Sequence, residues 1–236
     1  MQKEERISKA EEIRIYVLSV PENTIVNAAS VYKTNFFHIS EKTYYKVLER
    51  MSKEGMLNRL TKGLYYRPKK TRFGVVPLDQ NTITDYYAGK GVILGYPMYN
   101  KYGLTTQVGK SVNILSNNLN EEKKHIRNVS VEKTRIVLND RTKPLIETLD
   151  ILQNYSNIED LNRSVLASYL VSFSKNYSDS TAEYVFENCK YKKRTIAFLK
   201  AVLDYQGIRN TLSKYLSALS TYEVPSMEEI FEPAFV

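Results

Sequence analysis

Tryptophan is absent from this 236-residue chain, cysteine occurs once and histidine twice. A lone thiol, Cys189, excludes an internal disulfide and any cysteine-rich zinc site. His38 and His125 stand far apart in the chain, which leaves little for zinc catalysis or a Ser/His/Asp triad. Long apolar runs are also missing. The first twenty residues carry Glu4, Glu5, Glu11 and Glu12, and the longest apolar run among them is 15–18. A secretory signal needs about 7–15 uncharged apolar residues and a membrane helix about 20. Neither is expected, so the chain reads as soluble and cytoplasmic, with no membrane partner. What is present is an ordinary globular balance, 42% hydrophobic and 25% charged, with 19 tyrosines. That balance excludes a disordered tail, a collagen-like repeat and a coiled-coil rod. The length suits one large domain or two small ones.

The net charge is +8, and it is concentrated. Residues 1–72 hold 15 Lys and Arg against 8 Asp and Glu, whereas residues 73–236 hold 19 against 18. Within the first stretch, residues 31–72 alone carry 11 basic and 3 acidic groups. A local cationic patch on an otherwise neutral chain is the electrostatic footprint of polyanion binding.

Apolar spacing predicts a helix over residues 3–19, stopped by Pro21. Asn23 and Thr24 are read as caps of a second helix over residues 25–31. Ser40 is a good N-cap for a third helix, which presents Tyr44, Val47, Leu48 and Met51 on one face and ends at Gly55. Two β-prone runs then flank Gly63, which predicts a hairpin. Three helices followed by a basic hairpin is the order of a winged helix-turn-helix, whose third helix enters the major groove while the wing touches the backbone. The candidate contacts to double-stranded operator DNA are Ser40, Lys42, Thr43, Tyr45, Lys46 and Arg50 around the third helix. Arg59 and Lys62 on the wing, and Arg67, Lys69 and Lys70 beyond it, complete the set. A solvated, charge-rich surface is the plainer explanation for any one of these elements taken alone.

The run Lys62-Gly63-Leu64-Tyr65-Tyr66-Arg67-Pro68-Lys69-Lys70-Thr71-Arg72-Phe73-Gly74 resembles the wing and exit of AbiEi-like antitoxins of type IV, abortive-infection toxin–antitoxin systems. Ile83-Thr84-Asp85-Tyr86-Tyr87 and the stretch from Gly95-Tyr96-Pro97 to Thr105-Thr106-Gln107 are similar to the second domain of that family. The resemblance covers about residues 5–150. It implies a DNA-binding autorepressor and antitoxin that counters a nucleotidyltransferase-like toxin, with or without a stable complex. The alternative is a winged-helix transcription regulator whose C-terminal domain senses a ligand or oligomerises.

Beyond Pro77 the expected architecture is a mixed α/β segment ending in bundle-like helices, so the fold class is α+β. The domains are expected at 1–72, binding DNA, and 78–236, carrying the antitoxin function. Short strands are expected at 92–94, 112–115, 129–131 and 136–138. Helical stripes follow: Leu145, Leu149 and Leu152 after Pro144 at the first helical position; then 165–173; then 196–203; then Leu212, Tyr215, Leu216 and Leu219. Pro225 and Pro233 mark a non-helical tail.

Several patterns imitate chemistry. The segment from Gly103 to Ser111 approaches a P-loop, but five residues separate its glycines and a strand pattern follows where a helix is required. Asp140 ends a strand-like run and is read as a helix cap. No Gly-Ser with a downstream Asp-x-Asp is present, so the chain does not look like the toxin itself. No catalytic residue, metal site or cofactor is expected, and an enzyme acting on nucleic acid is the weakest reading. Lys190, Lys192, Lys193 and Arg194 form the densest basic group of the second part. They are either plain surface or the surface that serves antitoxicity. Cys189 beside them is read as a semi-buried helix residue.

Overall fold

Ser8 opens the first helix. Its hydroxyl accepts from the Glu11 N–H, and α1 then covers Lys9–Ser19 with Ile13 and Val17 buried. A computed structural model describes residues 7–119 and 121–232, so residues 3–6 of the expected first helix lie outside the described residues. The chain divides into two compact units, Met1–Tyr86 and Tyr87–Val236.

The second expected helix starts later than its sequence suggests. Ile25–Asn27 forms a strand, β1, and α2 covers Ala28–Asn35. Asn27, rather than Asn23 or Thr24, caps α2 by accepting from the Ser30 N–H at 3.0 Å. Asn23 takes left-handed backbone in the preceding turn, with φ 58°. α3 covers Glu41–Lys53, and Ser40 caps it by accepting from the Thr43 N–H. The four apolar positions read from the sequence are its buried face, and Gly55 ends it at φ 68°. β2 (Asn58–Thr61) and β3 (Leu64–Tyr66) follow, joined by a two-residue turn in which Gly63 has φ 76°. The three strands make an antiparallel sheet in the order β1-β3-β2, with Ile25 opposite Tyr66. That pairing explains β1: two β-branched residues complete the sheet instead of beginning a helix. Ile13, Val17, Phe36, Ile39, Tyr44, Leu48, Met51, Leu57 and Tyr65 form the core beneath.

A second hairpin follows between Pro68 and Pro77: β4 (Lys70–Thr71) and β5 (Gly74–Val75). α4 (Gln80–Ala88) then leads into the second unit.

The second unit opens with β6 (Gly91–Leu94), α5 (Tyr96–Lys101), β7 (Val112–Ser116), β8 (Lys123–Ile126) and β9 (Val129–Lys133). The sheet order is β6-β7-β9-β8, with β7 and β9 parallel and the other pairs antiparallel. Three of the four expected strands are present. The fourth, at 136–138, is not a strand, because side chains satisfy its backbone. The Asn117 amide donates to the carbonyls of Thr134 and Ile136, and the Val137 N–H donates to the Tyr184 hydroxyl.

Among the described residues five α-helices follow: α6 (Thr142–Asn154), α7 (Arg163–Ser174), α8 (Asp179–Asn188), α9 (Lys193–Tyr205) and α10 (Met227–Phe231). Pro144 is the third residue of α6, not the first, while Leu145, Leu149 and Leu152 are buried as expected. The stripe from Leu212 to Leu219 is not a helix. Only a 3₁₀ turn forms at Leu212–Tyr215, and Leu219 is 98% exposed. Ser213, Ser217 and Ser220 there favour turns over helix. The tail expected to be non-helical holds α10, capped by Ser226; Pro233 lies outside the described residues.

Two carboxylates one turn apart on α6 fasten α5. Asp150 accepts from the Gly95 N–H at 3.1 Å and the Tyr99 hydroxyl at 2.8 Å; Glu147 accepts from the Tyr102 hydroxyl at 2.8 Å. Burial pushes both carboxyl pKa values above the ordinary carboxylate range, against the opposing pull of those hydrogen bonds. A raised folded-state pKa favours folding below the unfolded pKa, and that contribution is lost as pH rises through the folded value. Asp150→Asn keeps an acceptor and removes the charge. Relative to wild type, it should therefore gain stability from mildly acidic to neutral pH in urea unfolding. Unfolding midpoints that stay parallel across that range would refute this assignment.

Candidate nucleic-acid interface

With its inner face in the core, α3 turns Lys42, Thr43, Lys46, Glu49, Arg50 and Lys53 to solvent. Ser40 is exposed but committed to capping, and its hydroxyl lies 2.7 Å from that of Thr43. Tyr45 is half-buried, edge-on to Tyr44 with ring centroids 5.3 Å apart. Burial, with Glu41 nearby, raises its phenol pKa, so the hydroxyl stays protonated.

Arg59 on β2 and Lys62 in the turn are also exposed. Glu49 reports the charge around it. Its carboxylate pairs with Lys53 at 2.9 Å, and that hydrogen bond and charge hold its pKa below the usual range, with Arg59 and Lys46 adding to the effect. The cations of α3 and β2 therefore share one electrostatic neighbourhood. Lys70 approaches from the second hairpin, its Nζ 3.8 Å from where a Cβ on Gly55 would stand. Lys69 and Lys70 are exposed. Between Glu54 and Asp79 the chain has six Lys and Arg and no acid.

Arg67 does not join this set. Its guanidinium donates to the carbonyls of Leu18 at 2.6 Å and Val20 at 3.0 Å, satisfying the open end of α1. His38 is exposed and faces Glu12 at 3.2 Å.

In the second unit, Lys190, Lys192, Lys193 and Arg194 are all exposed. Lys192 is the N-cap of α9 and makes no capping bond, and Lys193 and Arg194 are its first two residues. They stand at the positive end of the helix, where cations are unfavourable. Cys189 ends α8 in extended backbone rather than lying within a helix, and burial pushes its thiol pKa up, which favours the protonated form.

The P-loop-like segment is an irregular loop. A Cβ on Gly109 would come within 2.8 Å of the Tyr96 side chain, so this glycine permits close packing. Asp140 is not the cap of α6: Arg141 stands at the N-cap without a side-chain capping bond, and Asn139 ahead of it accepts from the N–H groups of Arg141 and Thr142. Among the described residues no group of three or more His, Cys, Asp or Glu could hold a metal ion, and no helix is long and apolar enough to cross a membrane.

A cleft of about 830 Å³ opens between α6, α7 and α8, lined among others by Tyr102, Arg141, Tyr169, Phe173 and Tyr177. The hydroxyls of all three tyrosines are already engaged, with Glu147, Thr148 and Asp179. Their rings, rather than their hydroxyls, are what the cleft offers, with Arg141 and Asp140 as its charged groups.

Residues 24–152 match a family of unknown function, DUF6088. The chain belongs to this family. The DUF6088 segment runs from just before β1 into α6, so it contains α3, both hairpins and the sheet of the second unit. The Lys190–Arg194 cluster and the helices α7 to α10 lie beyond it. Among solved structures, the crystal structure of the RV2827C protein from Mycobacterium tuberculosis is similar, with a TM-score of 0.41 and 11% identity over 86% of this chain and 79% of that one. No curated protein matches the chain.

Proposed function

We propose that this protein binds duplex DNA through a winged helix-turn-helix made of α1–α3 and β1–β3. α3 is the recognition helix in the major groove, and the β2–β3 hairpin is the wing on the backbone. The observation that carries this reading is that exposed Lys46 on α3 and exposed Arg59 on β2 both lie close enough to Glu49 to lower its pKa, with Arg59 in a stretch that has no acid from residue 55 to residue 78. Arg67 belongs to the scaffold in this reading, not to the contact. The protein acts in the cytoplasm as the autorepressing antitoxin of a type IV toxin–antitoxin system and opposes a nucleotidyltransferase-like toxin. It performs no catalysis and needs no cofactor. The antitoxin part rests on the resemblance of residues 62–74 and 83–107 to AbiEi-like antitoxins. The test titrates the full chain onto duplex from upstream of its own reading frame, and co-expresses it with any adjacent nucleotidyltransferase-like gene. Salt-sensitive binding and restored growth support both parts; binding without rescue leaves only the regulator.

The cleft of the second unit supports one other reading, a regulator whose C-terminal unit senses a ligand. Its aromatic rings suit a planar aromatic ligand, and Arg141 would hold an acidic group on it at the end away from the Asp140 carboxylate, which also lines the cleft. Anilinonaphthalene sulfonate is such a probe. It should fluoresce on binding the wild type and bind roughly tenfold more weakly to Arg141→Ala, the loss of one charge-assisted contact. Equal binding by both proteins would discard the sensing site.

A further inference from the structure

The second hairpin is shaped without help from the core. β4 pairs with β5, Lys70 opposite Val75 and Thr71 opposite Gly74, and the Val76 N–H donates to the Lys69 carbonyl at 2.9 Å. Arg72 and Phe73 form the turn. The Thr71 hydroxyl accepts from the Phe73 N–H at 3.2 Å and donates to the Gly74 carbonyl at 3.1 Å, while Gly74 takes φ 112°. The turn is therefore shaped by its own hydrogen bonds, and the side chains of Arg72 and Phe73 are exposed. Phe73 is 86% exposed and Val75 50%. The Arg72 guanidinium carbon lies 4.7 Å from the Phe73 ring centre.

A ribbon of two residues per strand is marginal in water, and an exposed phenylalanine adds nothing to folding. The chemistry at the tip fits one kind of surface. Lys69, Lys70 and Arg72 select a polyanion, and one phenylalanine with a half-exposed valine is too little apolar area to anchor on a membrane. Proteins that enter the DNA minor groove combine these same two elements. Arginine is drawn to the negative potential of a narrow groove, and an apolar wedge unstacks a base step and kinks the duplex.

We infer that the β4–β5 hairpin is a minor-groove arm, with Phe73 as the wedge and Arg72 as the groove-reading cation. This rests on the DNA-binding reading above and adds a second contact to it, in a different groove from α3.

The experiment uses the full chain with short A·T-rich and G·C-rich duplexes, alongside Phe73→Ala and Arg72→Ala. Both side chains are exposed, so circular dichroism should show unchanged folding. The wild type should bend DNA in a permuted-site mobility assay, prefer A·T-rich duplex and be displaced by distamycin, a minor-groove ligand. Phe73→Ala should lose the bend and about tenfold in affinity, and Arg72→Ala should lose the A·T preference and the sensitivity to distamycin. Wild-type binding with identical bending and competition in both variants overturns the arm and leaves the DNA reading standing. Failure of the wild type to bind any duplex overturns both. Unchanged bending together with lost adsorption of Phe73→Ala to phosphatidylglycerol vesicles reassigns the tip to a membrane surface and overturns the arm.

Discussion

Arg59→Ala combined with Lys62→Ala should weaken binding to every duplex tested by roughly tenfold or more, with little change in sequence preference. Both side chains project from the β2–β3 hairpin, and Arg59 contributes to the field that depresses the Glu49 pKa. Contacts of this kind act on phosphates. Each phosphate neutralised releases counterions, so a plot of log affinity against log salt should flatten by about 0.9 per lost contact, or about 1.8 for the pair. Substitutions on α3 should behave differently. Thr43 and Lys46 face outward from α3, the proposed recognition helix, so changing either should re-rank sequences more than it lowers overall affinity. The measurement is fluorescence anisotropy over a salt series, with one fixed duplex and one scrambled duplex. Identical slopes for the hairpin variant and the wild type would remove the hairpin from the interface.

Lys192→Glu with Lys193→Glu should have two effects of opposite direction. These residues are the N-cap and first residue of α9, where the helix end is already positive. Replacing cations by anions there should stabilise the fold by about 0.3–1 kcal/mol per residue. A thermal melt should therefore shift upward. Rescue of toxin-expressing cells should be lost if the cluster carries antitoxicity, and repression of the promoter should persist. A variant that is both less active and more stable cannot be dismissed as misfolded, which makes the pair informative. Full rescue by the more stable variant would show that the cluster is plain surface. Loss of repression along with rescue would point to one DNA-dependent function instead of two.

How far the sequence reveals this fold depends on where each segment finds its partners. α3 is legible because Tyr44, Val47, Leu48 and Met51 repeat at helical spacing between a serine cap and a terminating glycine. β1 is not legible. Ile25, Val26 and Asn27 suit either a strand or a helix, and the pairing that decides it comes from Leu64, Tyr65 and Tyr66, about forty residues later. The strand expected at 136–138 fails for the converse reason: its apolar pattern is right, but Asn117 and Tyr184 take its backbone groups. β8 escapes notice because it is an edge strand of Lys123, Lys124 and His125, with only Ile126 buried. At the interface, exposed cations on α3 and the first hairpin could be read from composition and order. Arg67 could not be separated from them, since its acceptors belong to the end of α1, 47 and 49 residues away. The second hairpin gave no signal either, because its apolar residues face solvent and show no alternation toward a core.

The carboxylate clamp on α5 also has a kinetic side. α5 has six residues, too few to hold together on local hydrogen bonds alone. The N–H of its N-cap, Gly95, and its Tyr99 hydroxyl both donate to Asp150, more than fifty residues further along the chain. The helix is therefore contingent on α6 being formed and docked. During folding it belongs among the late structures, and in the native state its amides should exchange through local openings well before the core of α6 lets go.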